Sequence, residues 1–377
     1  MKGSIKRRGK SWRIIVDVGR DESGQRKQQW YSGFQTKKAA EEKLTEILGS
    51  LQGGAYVEPT KRTVASFLGE WLPSIAASVR PSTWTAYRIL CEAHIIPALG
   101  TVALQRLSAA HLNALYAQLL AHGRRNGRGG LSARTVQLCH VVVHKALGDA
   151  VKWQILSRNV ADSATAPRPQ TREPKVWTAD DLRAFLGHVE GDRLYGAYLL
   201  AATTGLRRGE VLGLRWCDVA PARLSVIQTL ISVGGATSFS TPKTAKGRRS
   251  VALDTTTIAA LRAHRIRQLE ERMALGLGAP SADGLVFADI GGGPLHPKAL
   301  SDHFARLVKG AGVPRLTLHG LRHTHATLAL AAGIHPKVVS ERLGHSTIGV
   351  TLDLYSHTVP GLEEAAAEKV AALVFGS

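Results

Sequence analysis

The sequence HGLRHTHATLAL (residues 319–330), followed by LGHSTIGVTLDLYSH (residues 343–357), indicates the fold of the second half of the chain. His319 and Arg322 are three positions apart, so they lie on one face of a helix. Gly344 ends one helix, and Tyr355 falls late in the short helix that follows. A tyrosine in such a place is usually a packing residue, so its meaning depends on the residues that accompany it.

Two stretches upstream add further cations: TGLRRGEVLGLRW (residues 204–216) and TPKTAKGRRSVAL (residues 241–253). Arg207 falls where a helix is interrupted and restarts. A cation at the start of a helix is unfavourable for the helix dipole, so an anionic ligand would account for it. Strands are predicted at residues 224–229, 249–253 and 285–287, and Lys246-Gly247 suits a hairpin turn between the first two.

Taken together, these motifs predict phosphoryl transfer to a tyrosine. The set is Arg207, Lys243, His319, Arg322, His345 and Tyr355. Two guanidinium groups suit the non-bridging oxygens of a phosphodiester, where charge builds up in the transition state. A phenol needs a lowered pKa to act as a nucleophile, and nearby cations lower it. A mobile lysine can protonate the leaving oxygen.

A metal site is the alternative interpretation of the histidines. His319, His323 and His325 include one pair at helical spacing, but no glutamate follows the first histidine and no carboxylate is close in sequence. The arginines already supply the positive charge that the reaction needs. The sequence therefore predicts no metal and no other cofactor.

Charge indicates a polyanionic partner. The 377 residues carry a formal net charge of +20 and a pI near 10.3. Residues 1–62 and 63–170 each contribute +7, so the first half holds most of the surplus. Such an excess is typical of proteins that bind nucleic acid. The residues predicted to contact DNA are Lys6, Arg7, Arg8, Arg13, Arg88, Arg124, Arg125 and Arg128.

The chain is predicted to have a multidomain fold, mainly α with small β-sheets. Alternation around residues 12–18 and a return at 28–31 indicate a small sheet, and Thr36 suits the N-cap of a helix. Four helices with a basic loop are expected in residues 62–162, one of them running from Pro81 to Ile96. Residues 163–174 contain three prolines and are typical of an extended linker. Residues 175–377 are mixed, with short strands among helices.

Other classes of protein are disfavoured by composition. The sequence contains no apolar stretch of about 18 residues, so no membrane span is predicted. The basic N-terminus lacks the apolar core of a secretory signal. The three cysteines are far apart in sequence and are typical of free thiols in a reducing cytosol.

The chain resembles the tyrosine recombinase (lambda-type integrase) family, since the four motifs occur in the family's order. GSIKRRGKSWRIIVDVG (residues 3–19) and FQTKKAAEEKL (residues 34–44) are similar to the family's arm-binding module. The resemblance implies an arm-binding domain at 1–57, a SAM-like core-binding domain at 62–162 and a catalytic domain at 175–377 with a C-terminal helix.

The resemblance also implies a role for each motif residue. Arg207 and Arg322 would be the catalytic arginines, Lys243 the acid for the 5′ oxygen, and His319 a proton-transfer group. His345 would hydrogen-bond the scissile phosphate, and Tyr355 would form a 3′-phosphotyrosyl link. Lys246 lies in the same segment as Lys243, so the identity of the acid stays open.

The family implies a homotetramer on two double-stranded attachment sites, a host DNA-bending protein and an excisionase, in the cytoplasm of a bacterial host with nucleoid association. An integrase of a phage or integrative element is favoured over an Xer-like recombinase because of residues 1–62, and a conjugative-transposon recombinase is left open as an alternative. The remaining alternatives are a type IB topoisomerase, a regulator that has lost catalysis and a metal-dependent nuclease.

Overall fold

The computed structural model describes residues 3–20, 23–54, 56–170, 173–242, 245–355 and 362–376. The chain forms two compact units, Met1–Gln170 and Thr171–Ser377. The predicted multidomain, mainly helical fold with small sheets is confirmed. No helix of the described part is both long and apolar enough to cross a membrane.

The first unit begins with a three-stranded antiparallel sheet and a helix. Its elements are β1 (Gly3–Arg8), β2 (Ser11–Arg20), β3 (Arg26–Phe34) and α1 (Lys37–Gln52). Thr36 caps α1 as predicted, accepting a hydrogen bond from the amide of Ala39 at 3.2 Å. The sequence prediction missed β1, which consists mostly of basic and small residues. Ile14 and Val16 are fully buried on the face that α1 covers.

Helices form the rest of the first unit. They are α2 (Val64–Ser74), α3 (Pro81–Leu90), α4 (Ile96–Leu99), α5 (Ala109–His122) and α6 (Ala133–Lys152). The helix predicted from Pro81 to Ile96 is interrupted by a π turn at Cys91–Ile95. Pro97 has no amide hydrogen for an α-helical bond to the preceding turn, which accounts for the break. Trp71 is fully buried in the core of these helices and donates to Asp149 at 2.9 Å.

The second unit has small sheets set among helices. The helices are α7 (Ala179–His188), α8 (Tyr195–Thr204), α9 (Arg208–Gly213), α10 (Thr255–Ala274), α11 (Pro297–Gly310), α12 (Leu318–Ala331), α13 (Pro336–Leu343), α14 (Ile348–Tyr355) and α15 (Leu362–Phe375). The strands are β4 (Val219–Ala220), β5 (Arg223–Val226), β6 (Thr229–Val233), β7 (Ala236–Ser240) and β8 (Arg249–Ala252). Strands β4, β5 and β8 form one antiparallel sheet, and β6 pairs with β7.

The strand predictions for this unit were partly wrong. The predicted strand 224–229 is divided between β5 and β6, and the hairpin turn is at Gly234-Gly235, where both φ angles are positive. Lys246-Gly247 lies instead in a short 3-10 turn before β8. The predicted strand 285–287 does not form, and only Leu285 makes an isolated bridge, to Arg215. The complete or near-complete burial of residues 285–287 explains the strand-like composition.

Candidate active site

Arg207 is held by a carboxylate that the sequence prediction did not include. The residue precedes α9, and its backbone amide donates to Oε2 of Glu210 at 2.8 Å. Its Nη1 donates to Oε1 of the same carboxylate, also at 2.8 Å. The side chain of Glu210 is 3% exposed, whereas that of Arg207 is 42% exposed. Glu210 thus offsets the unfavourable cation at the helix start and leaves part of the guanidinium open to solvent.

Arg322 joins two segments at the centre of the site. It lies on α12 and is 3% exposed. Its Nη1 donates to the carbonyl of Gly205 at 2.7 Å, and its Nη2 donates to the carbonyl of Leu343 at 2.8 Å. The next carbonyl, that of Gly344, accepts from Nη2 of Arg207 at 3.2 Å. The two predicted arginines therefore meet on consecutive carbonyls immediately before His345.

Gly205 is required where α8 ends. Its φ of 66° lies in the left-handed region, which glycine adopts without strain. A Cβ at this position would lie 2.4 Å from Cδ2 of Leu343 and 2.8 Å from Cδ2 of His325. Such contacts are too short for any side chain. The glycine therefore allows α8 to pack closely enough for Arg322 to reach its carbonyl.

His345 connects this turn to the helix that ends at the predicted nucleophile. The residue is 8% exposed, and its Nδ1 is 2.7 Å from Oγ1 of Thr351, which is fully buried on α14. Tyr355 is the last residue of that helix, four positions beyond Thr351. The structure describes the backbone of Tyr355 but not its side chain. The helix places the tyrosine one turn after the residue that holds His345.

The imidazoles of the site are neutral at pH 7. Burial, together with the guanidinium groups of Arg322 and Arg207, lowers the pKa of His345 to about 4. The pKa of His319 is also lowered to about 4, first by partial desolvation of its ring and then by the charges of His323 and the same arginines. The residue as a whole is nevertheless exposed. The rings of His319 and His323 meet edge to face, with centroids 4.8 Å apart.

Of the two candidate lysines, the structure describes Lys246. Its Nζ donates to the carbonyl of Ser346 at 2.8 Å, next to His345. Lys243 lies outside the described residues. Among the described residues, no group of three or more histidine, cysteine, aspartate or glutamate side chains is arranged to hold a metal ion.

Two of the predicted DNA-binding residues of the first sheet, Lys6 and Arg13, lie on its open face, the face that α1 does not cover. Lys6 and Arg13 are directly opposite each other across β1 and β2, an arrangement of like charges that is unfavourable without a counter-ion. The guanidinium of Arg13 is 4.8 Å from the ring centroid of Trp30, which is 55% exposed. These residues alternate with Ile14, so they lie opposite the face that α1 covers. This face offers cations and an exposed aromatic ring.

The other predicted DNA contacts differ in their surroundings. Arg7 and Arg8 are exposed on β1, and Arg124, Arg125 and Arg128 are exposed in the loop between α5 and α6. Arg88 is instead half-buried on α3. It lies 5.4 Å from the ring centroid of Trp84 and 3.7 Å from the carboxylate of Glu92. Its charge is therefore already partly compensated.

The neutral histidines predict a loss of stability in acid. Folding holds the pKa of His345 and of His325 near 4, below the usual value of about 6.5. The unfolded chain therefore takes up protons first, and the free energy of unfolding should fall as the pH drops from about 6.5 towards 4. For the buried His345 the loss is at most about 3 kcal/mol. Urea unfolding at pH 7 and pH 5 measures it.

A control separates these histidines from the other titrating groups. The variant His325→Gln should show a shallower pH dependence than the unaltered chain, because one proton-uptake site of the unfolded state is gone. Equal stability of the unaltered chain at pH 7 and pH 5 would contradict the assignment of neutral, buried imidazoles.

Three family models match the chain in succession. Residues 4–51 match the Arm DNA-binding domain, and residues 63–120 match the phage integrase N-terminal SAM-like domain. Residues 175–360 match the phage integrase family. The last of these matches covers all four motifs that contain the candidate site residues.

Relatives and solved structures agree with these matches. The chain is 30% identical to an integrase of Streptomyces ambofaciens over 91% of this chain and 88% of that protein. It is 29% identical to a XerC-like tyrosine recombinase of Caldanaerobacter subterraneus over 95% of both. The fold is similar to the Tn1549 transposon integrase in complex with transposon right end DNA, with a TM-score of 0.68, 22% identity, and coverage of 82% of this chain and 100% of that one. A lambda integrase tetramer bound to a Holliday junction gives a TM-score of 0.59, 18% identity and 94% coverage of both.

Proposed function

This chain belongs to the phage integrase family of tyrosine recombinases, and we propose that it exchanges DNA strands by a metal-independent transesterification at Tyr355. The observation that carries the proposal is the meeting of Arg207 and Arg322 on the consecutive carbonyls before His345. Two guanidinium groups brought together in this way suit the non-bridging oxygens of one phosphodiester. Their positive charge would stabilise the transition state without a metal ion.

In the proposed reaction, the phenolic oxygen of Tyr355 attacks the scissile phosphorus, and the bond to the 5′ oxygen breaks. The products are a 3′-phosphotyrosyl ester and a 5′ hydroxyl. His319 accepts the phenolic proton, for which its imidazole must be in the neutral form. His345 hydrogen-bonds the phosphate. A 5′ hydroxyl from the partner DNA then attacks the ester and regenerates the tyrosine, so no ATP is needed.

We propose Lys243 as the acid that protonates the leaving 5′ oxygen. The variant Lys243→Ala should slow cleavage about 10²-fold or more. A substrate with sulfur at the bridging 5′ position should restore most of the rate, because a thiol has a pKa of about 8.5 and leaves as the anion. Lys246→Ala is the matched control: the effect of losing its bond to Ser346 should be the same on both substrates, because Lys246 is not the proposed acid. The opposite pattern for the two lysines would contradict this assignment.

The first sheet is proposed to bind arm-type DNA through its open face. The variants Arg13→Ala and Trp30→Ala should weaken binding to DNA sites outside the crossover region and leave cleavage of the core site unchanged. Arg13→Ala should also reduce the salt slope of binding by roughly one, as expected for the loss of one phosphate contact. Lys43→Ala, on α1, removes the same charge from the opposite face and serves as the control. Equal weakening by the control would contradict the proposed face.

We further propose that the partners are two double-stranded attachment sites bound by four subunits. The lambda integrase tetramer on a Holliday junction supports this assembly by its similar fold. A host DNA-bending protein and an excisionase would assist, and the reaction would take place in the bacterial cytoplasm on nucleoid DNA. A conjugative transposon is an alternative source of the substrate, favoured by the fold similarity to the Tn1549 integrase.

Strand exchange between two DNA sites tests the function. The sites are taken from the DNA that flanks the element, where a short direct repeat is expected. With excess EDTA present, the purified chain should join the two sites and produce recombinant junctions. Relaxation of plasmids that lack these sites would indicate a type IB topoisomerase. Cleavage that EDTA abolishes would indicate a metal-dependent nuclease, and binding without any covalent complex would indicate a regulator.

A further inference from the structure

Arg249 lies at the start of β8, directly after the segment that carries both candidate lysines. Its side chain is only 8% exposed. Nη2 donates to Oε2 of Glu210 at 2.9 Å, and Nη1 donates to Oε1 at 3.2 Å. The guanidinium therefore binds both oxygens of the carboxylate that also holds Arg207.

Glu210 is shared between the two arginines. Arg207 reaches it from the exposed side, through its backbone amide and Nη1, while Arg249 reaches it from the buried side. Burial raises the pKa of Glu210, but the hydrogen bonds and charges of Arg249 and Arg207 outweigh it and hold the pKa below its usual value. Without Arg249, the buried carboxylate would lose one of its two charge partners, and its orientation towards Arg207 would no longer be fixed.

Arg249 also contacts the turn before His345. Its Nε donates to the carbonyl of Arg342 at 2.7 Å, and its Nη1 donates to the carbonyl of Gly247 at 3.2 Å. A Cβ on Gly344 would lie 2.9 Å from Nη1, so the guanidinium packs directly against that turn. One side chain therefore links the end of the lysine segment, the carboxylate behind Arg207 and the turn before His345.

We propose that Arg249 is a positioning residue for DNA cleavage, which fixes Arg207 through Glu210 and fixes the turn that carries His345. This inference rests on the proposed function, since it assigns a role in the reaction at Tyr355. Arg249 is not proposed to touch DNA. Its effect is on the placement of groups that do, and misplacement of such groups by about 1 Å can slow a reaction on the order of 100-fold.

The test compares Arg249→Met with a matched variant, Arg193→Met. Arg193 also binds a carboxylate through two bonds, with Nε 2.9 Å from both oxygens of Glu271, and its side chain is 27% exposed. Both variants remove a paired arginine from the second unit, so both should lower the melting temperature. The rate of covalent complex formation is measured in a single turnover on a nicked substrate whose released fragment diffuses away.

Arg249→Met should slow this step on the order of 100-fold, with DNA affinity within about threefold of the unaltered chain, since no DNA contact is lost. Arg193→Met should cleave at the normal rate. Arg249→Lys should recover only part of the loss, because an ammonium group cannot bind the carboxylate and the Arg342 carbonyl in the same planar geometry. Cleavage by Arg249→Met at the rate of Arg193→Met would overturn the inference.

A double-variant cycle distinguishes positioning through Glu210 from a general loss of stability. In a Glu210→Gln background, Arg249→Met should slow cleavage much less than it does alone, because the route to Arg207 is already broken. If the double variant slowed cleavage by the product of the two single factors, the proposed route from Arg249 through Glu210 to Arg207 would be overturned. If the unaltered chain formed no covalent complex, the proposed function itself would fail, which is a different result from normal cleavage by Arg249→Met.

Discussion

The variant Tyr355→Phe is expected to bind its DNA sites with normal affinity and to form no covalent complex. The substitution removes one oxygen and keeps the ring, so the end of α14 should be little disturbed. Removing the nucleophile of an enzyme that works through a covalent intermediate reduces the rate by about 10⁴-fold or more. Denaturing gels of a nicked substrate measure the complex, and gel-shift titration measures the affinity.

Tyr195→Phe is the matched control for this variant. It removes a phenol from the same unit, on α8, away from the Arg207–Arg322 cluster, and it should cleave at the normal rate. Covalent complex formation by Tyr355→Phe would contradict the assignment of the nucleophile. Mixing Tyr355→Phe with a variant that lacks a catalytic arginine also distinguishes the two arrangements of the active site, since the mixture regains cleavage only if the tyrosine acts in trans.

The variant Arg322→Ala is expected to lose cleavage by about 10³-fold and to be less stable. The first effect follows from the loss of a cation that we propose stabilises the developing charge. The second follows from the two backbone carbonyls, of Gly205 and Leu343, that lose their donor. Each such buried carbonyl left without a partner costs about 1–3 kcal/mol. Arg322→Lys should not restore cleavage, because a single ammonium group cannot span both carbonyls.

Arg272→Ala separates the catalytic effect from the structural one. Arg272 also donates to backbone carbonyls, those of Gly278 at 2.9 Å, Leu277 at 3.0 Å and Gly291 at 3.4 Å. Its loss should lower stability without slowing cleavage. Single-turnover rates and urea unfolding of both variants measure the difference. A cleavage rate for Arg322→Ala equal to that of Arg272→Ala would contradict a catalytic role.

The sequence predicted those parts of the site that depend on local motifs. Arg207, Arg322 and His345 come from separate stretches, yet their order and residue types were sufficient to propose a common site, and the structure brings them together. Glu210 and Arg249 were missed, because each looks like an ordinary surface charge in the sequence. A glutamate three positions after the residue that precedes a helix is a capping signal, and it could have indicated Glu210.

The errors in the predicted fold have different physical reasons. The hairpin was placed at Lys246-Gly247, since a lysine-glycine pair suits a turn, whereas the chain turns at Gly234-Gly235. The strand β1 was missed because its contribution to the sheet lies in backbone pairing with β2. The helix is interrupted after Leu90 because Pro97 cannot donate an amide hydrogen to the turn that precedes it.

Identification of the DNA-linked residue tests the central claim most directly. The covalent complex is digested with nuclease and trypsin, and the modified peptide is sequenced by mass spectrometry. Cleavage after Arg342 and Lys369 yields residues 343–369, in which Tyr355 is the single tyrosine. We predict that this peptide carries a nucleotide joined through its 3′ phosphate to Tyr355. A nucleotide on Ser346, Thr351 or any other residue, or one joined through a 5′ phosphate, would contradict the account.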